Sequence, residues 1–184
     1  ILDRPNPNGH YCDGPVLDLK YKSFVGMHPI PVVYGMTIGE YAQMINGEKW
    51  LKNKVVCDLK VIKMIGYERR KKYKLKEKPS PNLPNEKSIN LYPSLCFFEQ
   101  TPVSIGRGTN LQFQIIGHPD WRDKNFSFKP VTMIGAKYPK HNGIICYGQN
   151  LSNTEYLSKI RIDWLIKAYN KSKDKENFFG NSFH

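Results

Sequence analysis

Prolines and glycines interrupt this sequence so often that long strands and helices have little room to form. Proline fixes φ and lacks the backbone N–H that a strand or helix interior needs. Residues 4–15, "RPNPNGHYCDGP", contain three prolines and two glycines and therefore predict a loop. Residues 24–36 are apolar, but Pro29 and Pro31 favour an extended segment near a surface over a central strand. A further proline-rich loop is expected over 78–87.

Between these interruptions the apolar spacing predicts three helices. Over 37–48, Thr37 and Glu40 form a capping box and Gly47 can end the helix. Residues 88–100 predict a helix kinked at Pro93. Residues 154–171 predict a long amphipathic helix, since apolar residues recur on one stripe. That stripe consists of Leu157, Ile160, Trp164, Leu165 and Ala168.

Four other segments are expected to form strands. Residues 53–67 alternate and are rich in β-branched side chains, with Val55, Cys57, Leu59 and Val61 on one face. Shorter strands are predicted at 111–117, 128–136 and 143–148. Because strands and helices interleave along the chain, the expected fold class is mixed α/β.

The chain is strongly basic, with 28 Lys and Arg against 16 Asp and Glu and a net charge of +12. Such an excess raises the question of a nucleic-acid partner. The charge is concentrated in 67–78 and 167–175, and no recognition-helix, RNP-type or zinc-finger pattern accompanies it. We therefore expect no nucleic-acid partner, although residues 67–78 keep that reading open as a third alternative.

The two ends of the chain are typical of a fragment, and its hydropathy bears on membrane insertion. The sequence opens directly on a turn without a signal peptide and stops as the aromatic segment "NFFGNSFH" begins. No run is long enough to cross a bilayer. We therefore interpret the chain as a fragment of a longer protein and expect no transmembrane segment in it.

The four cysteines, Cys12, Cys57, Cys96 and Cys146, are widely spaced and lack a nearby histidine pair. A metal site is therefore not expected, and neither is a cofactor. Cys57 and Cys96 lie in apolar runs and are predicted to be buried small hydrophobic residues, while a disulfide stays open.

Residues 106–109, "GRGT", form the first candidate site. The motif lacks the lysine of a P-loop and the third glycine of a dinucleotide fingerprint. It could be a plain tight turn, but the polar residues around it favour a site for a hydroxylated ligand. These are Glu99, Thr101, Ser104, Thr109 and Asn110.

Two further polar groups are candidates for ligand binding. Asp3, Arg4, Asn6 and Asn8 follow the end of an expected strand, and the alternative is that they cap turns. "PSPN" at 79–82 could bind a ligand or form a surface connection. His28 and His118 each lie beside a proline without a paired partner and are interpreted as structural.

The familiar nucleophile and zinc-protease motifs are absent, which leaves carboxylate chemistry open. Glycoside hydrolysis commonly uses two Asp or Glu side chains about 5–10 Å apart. The candidates by motif density are Glu99, Asp13, Glu40 and Asp120.

Taken in order, several motifs closely resemble the NamZ-type exo-β-N-acetylmuramidases, once catalogued as a family of unknown function. They are "LDRPNPNG", "DGPVLD", "SFVGMHPIPVVYGMTIGEYAQMINGE", "PSPNLP", "YPSLCFFE", "SIGRGT", "FQIIGHP" and "KHNGIICYG". The resemblance covers nearly the whole chain. It implies an exported bacterial enzyme, periplasmic, extracellular or lipid-anchored in the envelope. Such an enzyme would release N-acetylmuramic acid from the non-reducing ends of peptidoglycan fragments.

The resemblance also implies how the chain is organised. Residues 1–48 would be the end of a Rossmann-like domain, and residues 49–184 an auxiliary substrate-binding domain with the cleft between them. The resemblance further implies a missing N-terminal half, which would carry the family's proposed catalytic glutamate upstream of "LDRPNP". The sequence departs from the family pattern near the presumed cleft, with Tyr34 for a histidine, Asp13 and Ile105 for glutamates, and "EQTP" for "EGTN".

These observations lead to a hypothesis for the site. Arg107, with Arg4, would select the lactyl carboxylate of muramic acid through a bidentate pair. Glu99 is the catalytic candidate within this chain and, with Asn82, would orient hydroxyl groups or the acetamide. The remaining expected contacts to the muramyl saccharide are Asn6, Asp13, Tyr34 and Thr109. The alternative is a glycan- or wall-binding module without catalysis.

Overall fold

The computed structural model describes residues 1–122 and 125–180 of the chain. The fold consists of two compact units, Ile1–Lys74 and Leu75–His184. Both helices and strands occur, so the predicted mixed α/β class is confirmed. The predicted division at residue 48 into a Rossmann-like part and an auxiliary part stays a prediction.

The first unit holds a two-stranded sheet and one helix. Strands β1 (Asp13–Val16) and β2 (Pro31–Val33) pair antiparallel, which agrees with the short extended segment expected around Pro29 and Pro31. Helix α1 spans Ile38–Gly47 and begins with the predicted capping box. Thr37 Oγ1 accepts from the Glu40 amide at 3.2 Å, and Glu40 Oε2 accepts from the Thr37 amide at 2.8 Å.

The predicted strand over 53–67 is wrong. Residues 52–54 form a short 3₁₀ turn, and Val55 and Val56 are 57% and 60% exposed. In the described part of this segment, the backbone makes one parallel bridge, between Leu2 and Ile62. Alternation favours a strand only where a neighbouring strand can complete its hydrogen bonds, and β1 and β2 pair with each other rather than with this segment.

The second unit contains the larger core. Helix α2 (Glu86–Leu95) continues into a 3₁₀ turn at Cys96–Phe98, and helix α3 spans Asp163–Lys171. Three antiparallel strands follow the order β3 (Ile115–His118), β5 (Cys146–Asn150), β4 (Ser127–Phe128). Side chains from α2, β3 and α3 pack into one cluster that includes Leu91, Leu95, Phe98, Ile116, Trp164 and Ala168.

Several predicted elements of this unit are shorter than expected or shifted. The strands predicted at 111–117 and 143–148 are observed at Ile115–His118 and Cys146–Asn150. The strand predicted over 128–136 ends at Phe128, because the backbone beyond it bonds to a turn elsewhere: the Val131 amide donates to Gly108 O at 2.8 Å. The predicted helix over 154–171 begins only at Asp163. Leu157 is buried as expected, yet in an irregular segment whose amide and carbonyl both bond to the Asn90 side chain at 2.7 and 2.9 Å.

No helix in the described part of the chain is long and apolar enough to cross a membrane.

Candidate functional site

The "GRGT" turn presents one arginine outward from a buried backbone. Gly106 and Gly108 have φ of +81° and +84°, and both are buried. A Cβ on Gly106 would lie 2.5 Å from Leu111 O, so no larger residue fits without movement. Thr109 Oγ1 donates to Gly106 O at 2.7 Å and fixes the turn. Thr109, predicted to contact substrate, therefore holds the backbone that carries Arg107.

Arg107 lines a cavity of about 320 Å³ in the second unit. The cavity lies among three segments: the loop after α2, the "GRGT" turn, and residues 135–140. Its lining residues are Glu99, Ser104, Ile105, Arg107, Gly135, Ala136, Lys137, Tyr138, Pro139 and Lys140. Sequence reasoning expected Glu99 and Arg107 to belong to one site, and they do share this cavity.

The contacts of the Arg107 guanidinium are long. Nη1 lies 3.5 Å from Glu99 Oε1, and Nη2 lies 3.5 Å from Gly135 O. The two side chains are 44% and 38% exposed. An ion pair of this length and exposure contributes little stability. The guanidinium is thus held at the cavity without strong bonds and can turn toward an anionic ligand.

Asn82 is hydrogen-bonded to a residue that lines the same cavity. Its Nδ2 donates to Gly135 O at 2.8 Å, the carbonyl that Arg107 also approaches. Its Oδ1 is buried without a hydrogen-bond partner among the described residues. Asn82 therefore orients Gly135, while a direct contact between Asn82 and substrate stays a prediction.

Lys140 is one of the lining residues that were not predicted to belong to the site. Burial lowers its pKa to about 8, although the nearby Glu99 carboxylate opposes the shift. Its ammonium donates to carbonyl oxygens 37 to 42 residues earlier in the chain. Contacts over that separation leave no local pattern, so the sequence signalled this lysine only as the first residue of the motif "KHNGIICYG".

The other predicted site residues lie in the first unit. Arg4 Nη1 donates to Asp3 O at 2.8 Å, and Arg4 lines a second cavity of about 450 Å³ with residues 64–68 and 71–73. Asn6 Nδ2 donates to Met36 O at 2.9 Å, which ties the opening loop to the segment before α1. Asp13 Oδ1 accepts from the Gly14 amide at 2.8 Å.

Tyr34 lies on a third surface, also in the first unit. Its ring is 5.4 Å from that of Tyr41, and both line a mainly apolar groove of about 900 Å³. Within this unit Arg4 and Tyr34 thus line different cavities. The contacts of Arg4, Asn6, Asp13 and Tyr34 with substrate stay predictions.

Two of the four carboxylate candidates have clear structural contacts. Glu40 caps α1, and its Oε1 also accepts from Arg69 Nη2 at 2.6 Å. Asp120 pairs with Lys173 at 3.3 Å, with both side chains exposed. A capping role accounts for the position of Glu40 without invoking catalysis.

Asp3, one of the motif residues, is 6% exposed and bonds to the N-terminus of α1. Its carboxylate accepts from Thr37 Oγ1 at 2.8 Å, from the Gly39 amide at 2.9 Å and from the Arg4 amide at 3.0 Å. Burial disfavours the charged form, but these bonds outweigh it and hold the pKa of Asp3 below its ordinary value. The "LDRPNP" and "GMTIGE" motifs are therefore bonded to each other.

The two histidines that were interpreted as structural each have contacts within the fold. His28 Nδ1 lies 2.7 Å from Tyr41 Oη, its ring stacks on Trp50 at 5.2 Å, and burial lowers its pKa. His118 Nδ1 accepts from the Asp120 amide at 3.2 Å, and burial likewise lowers the pKa of His118. These contacts agree with the structural interpretation of both residues.

The cysteine predictions need one correction. Cys57 is exposed, because the strand expected to bury it does not form, while Cys96 is half-buried and Cys146 is buried. All four thiols are free. Burial raises the pKa of Cys96 and Cys146 to about 11 each, which leaves these thiols protonated and unreactive at neutral pH.

Comparison with protein families matches both parts of the chain. Residues 1–87 match the family described as Exo-beta-N-acetylmuramidase NamZ, N-terminal, and residues 90–182 match its C-terminal counterpart. The Peptidoglycan beta-N-acetylmuramidase NamZ of Bacillus subtilis (strain 168) is 36% identical over 171 residues. That alignment covers 84% of this chain and 40% of the Bacillus protein.

Two solved structures from Bacteroides fragilis NCTC 9343, both described as DUF1343 family proteins, have a similar fold. One is 52% identical with a TM-score of 0.92 and covers 96% of this chain and 51% of its own. The other is 27% identical with a TM-score of 0.72 and covers 95% of this chain and 53% of its own. The chain thus spans about half the length of these solved relatives and 40% of that of the Bacillus enzyme.

Proposed function

Because this chain belongs to the NamZ family of exo-β-N-acetylmuramidases, we propose that it forms the substrate-binding part of a peptidoglycan glycosidase. The substrate would be a muramyl saccharide, and the product N-acetylmuramic acid released from its non-reducing end. Since peptidoglycan lies outside the cytoplasmic membrane, we also propose that the protein acts in the cell envelope, periplasm or extracellular space.

The observation that carries this proposal is the weakly bonded Arg107 at the cavity. Muramic acid differs from glucosamine by a lactyl ether that bears a carboxylate. A guanidinium offers two parallel donors to such a group and forms a short, charge-assisted pair with it. Both existing contacts of Arg107 are 3.5 Å long, so a ligand carboxylate would replace weak contacts with strong ones.

Glu99 would orient the sugar at the same cavity. Among the described residues that line it, Glu99 is the one carboxylate. The usual glycosidase mechanism needs two carboxyl groups on opposite sides of the scissile bond. We therefore propose that Glu99 accepts a hydrogen bond from a sugar hydroxyl or from the acetamide N–H. It would take part in catalysis only together with a second carboxylate supplied from elsewhere.

The same observation supports a second candidate, a glycan-binding module without catalysis. A cavity with one carboxylate and one guanidinium can bind an acidic sugar without cleaving it. A chromogenic N-acetylmuramyl glycoside, added to the full-length protein, separates the two candidates. Release of the dye supports the glycosidase, and saturable binding without release supports the module.

Arg107→Ala tests the role of the guanidinium. A hydrogen-bonded pair with a charged group contributes about 1.5–3 kcal/mol, so the variant should lose about 10- to 150-fold in kcat/KM on muramyl substrates. Glucosaminyl substrates lack the carboxylate and should lose much less. If the protein binds glycans without cleaving them, the ratio of its affinities for muramyl and glucosaminyl ligands should fall in the same way.

The exposed Arg122→Ala serves as the matched control, because it removes the same charge away from the cavity. Equal losses on muramyl and glucosaminyl ligands in the Arg107 variant would contradict the carboxylate role.

A further inference from the structure

The loop after α2 is held by a lysine from a distant part of the chain. The last carbonyl groups of a helix have no partner within it. Here the 3₁₀ turn ends at Phe98, and Lys140 Nζ donates to Phe98 O at 2.9 Å, Glu99 O at 3.0 Å and Val103 O at 3.3 Å. An ammonium group has three donors, so all of them are used. A cation at a helix C-terminus is also favoured by the helix dipole.

His141 contacts a fourth carbonyl of the same loop. Its Nε2 lies 2.7 Å from Pro102 O, and its φ is +57°. Histidine is among the few residues that enter the left-handed region with some frequency, so the backbone can place both side chains toward the same loop. Lys140 and His141 together bond four carbonyls of residues 98–103, and we call this arrangement the clasp.

The clasp joins two walls of the Arg107 cavity. One wall is the loop that carries Glu99, and the other is the segment that carries Gly135 and Lys140. The "GRGT" turn is bonded to the segment that leads into the second wall, since the Val131 amide donates to Gly108 O at 2.8 Å. Arg107 contacts Glu99 on one side and Gly135 on the other. The spacing of these two contacts therefore depends on the clasp.

We propose that Lys140 and His141 are positioning residues that set the distance between Glu99 and Arg107 for an acidic sugar. This inference rests on the proposed function, because it takes the cavity as the muramyl-binding site. A direct bond between Lys140 and the ligand is disfavoured, since it would break one of three bonds to backbone carbonyls. The charge of the half-buried Lys140 still lies at the cavity and adds to the cavity's attraction for a carboxylate.

Lys140→Met in the full-length protein tests the proposal. It keeps a similar chain length but removes the charge and all three donors. We expect at least a tenfold loss in kcat/KM on muramyl substrates, with a smaller loss on glucosaminyl ones, so that selectivity falls. The amides of Thr101 and Val103, which are bonded within the clasped loop, should exchange with deuterium at least tenfold faster. The exposed Lys159→Met is the matched control and should change neither.

A chemical rescue separates positioning from simple stability. Lys140→Cys, alkylated with 2-bromoethylamine, restores an ammonium group at nearly the lysine length. Cys12 and Cys57 are exposed, so the wild-type protein treated in the same way is the control. Recovery of both slow exchange and muramyl selectivity supports the proposal. Recovery of slow exchange alone shows that Lys140 merely stabilises the loop and overturns it.

His141→Asn is the second variant if the lysine substitutions do not fold. Asparagine tolerates the left-handed backbone, and its shorter side chain should lose the bond to Pro102 O. We expect a smaller fall in selectivity, about threefold, the change expected when about 0.7 kcal/mol is lost. Unchanged selectivity and unchanged exchange in the folded variants would overturn the clasp. If the wild-type protein neither binds nor cleaves muramyl ligands, the proposed function fails and this inference fails with it, and exchange in the clasped loop then reports only whether Lys140 stabilises the loop.

Discussion

Replacing Asp3 by asparagine should loosen the N-terminus of α1 and with it the junction of two motifs. Asp3 Oδ1 accepts from the Gly39 and Arg4 amides, and Oδ2 accepts from the Thr37 hydroxyl. Asparagine has nearly the same shape, so the substitution removes the charge and one acceptor without opening a cavity. The Thr37 hydroxyl would then face an NH₂ group and lose its acceptor.

The size of the effect follows from these three bonds. A hydrogen bond to a charged acceptor contributes about 1.5–3 kcal/mol and a neutral one about 0.5–1.5 kcal/mol. Making the two bonds at Oδ1 neutral therefore costs about 1 kcal/mol each, and the lost acceptor of Thr37 costs a similar amount. Asp3→Asn should lower the free energy of local unfolding by about 2–3 kcal/mol. Asp3→Ala, which leaves the buried Thr37 and Gly39 donors unsatisfied, should lower it by about 4 kcal/mol.

Amide hydrogen exchange of α1 measures this change locally, without requiring the two units to unfold together. The Tyr41 amide, bonded to Thr37 O at 2.9 Å, should exchange about 30- to 150-fold faster in Asp3→Asn. Asp58→Asn, at an exposed carboxylate of the same unit, is the control and should change exchange by less than about threefold.

The pH dependence of amide exchange in α1 tests whether the charge of Asp3 stabilises the helix. Because the pKa of Asp3 is lowered in the folded state, its stabilisation is fully present above the unfolded value of about 3.9 and is lost as the pH falls through the folded value. The difference between wild type and Asp3→Asn should thus persist from pH 5 to 7 and shrink below about pH 4. Equal exchange rates at pH 6 would show that the carboxylate does not hold α1.

Two further predictions concern the second unit. Gly106→Ala should destabilise this unit by about 2 kcal/mol or more, since alanine is strained at positive φ and its Cβ would lie 2.5 Å from Leu111 O. Urea unfolding followed by tryptophan fluorescence measures the change in stability, and a change below about 0.5 kcal/mol would contradict the prediction. Affinity for a muramyl carboxylate should fall from pH 7 to 9 as Lys140, with a pKa of about 8 beside Glu99 and Arg107, loses its charge. Calorimetric titration checks this, and a flat wild-type profile, or the same slope in Lys140→Met, would count against it.

Local patterns predicted the elements whose bonds are local. The capping box of Thr37 and Glu40 formed as expected, since its partners are three residues apart. The "GRGT" turn likewise presents Arg107 outward, because two glycines with positive φ bury the backbone on either side. Composition and alternation failed at 53–67, where the backbone forms a single bridge, between Leu2 and Ile62, in place of continuous strand pairing, and Val55, Val56 and Ile65 are exposed.

The sequence alone predicted the mixed α/β class, the family resemblance and the α1 cap, and it placed Glu99 and Arg107 in one candidate site. All of these depend on residue types and spacings that are read within a few positions of each other. The contacts that hold this candidate site together depend on the folded chain, because they join residues far apart in the sequence. Lys140 reaches carbonyls about 40 residues away, and Asn90 bonds the backbone of Leu157 67 residues away. Backbone carbonyls are the same in every residue, so no sequence pattern reveals which distant side chain will bind them.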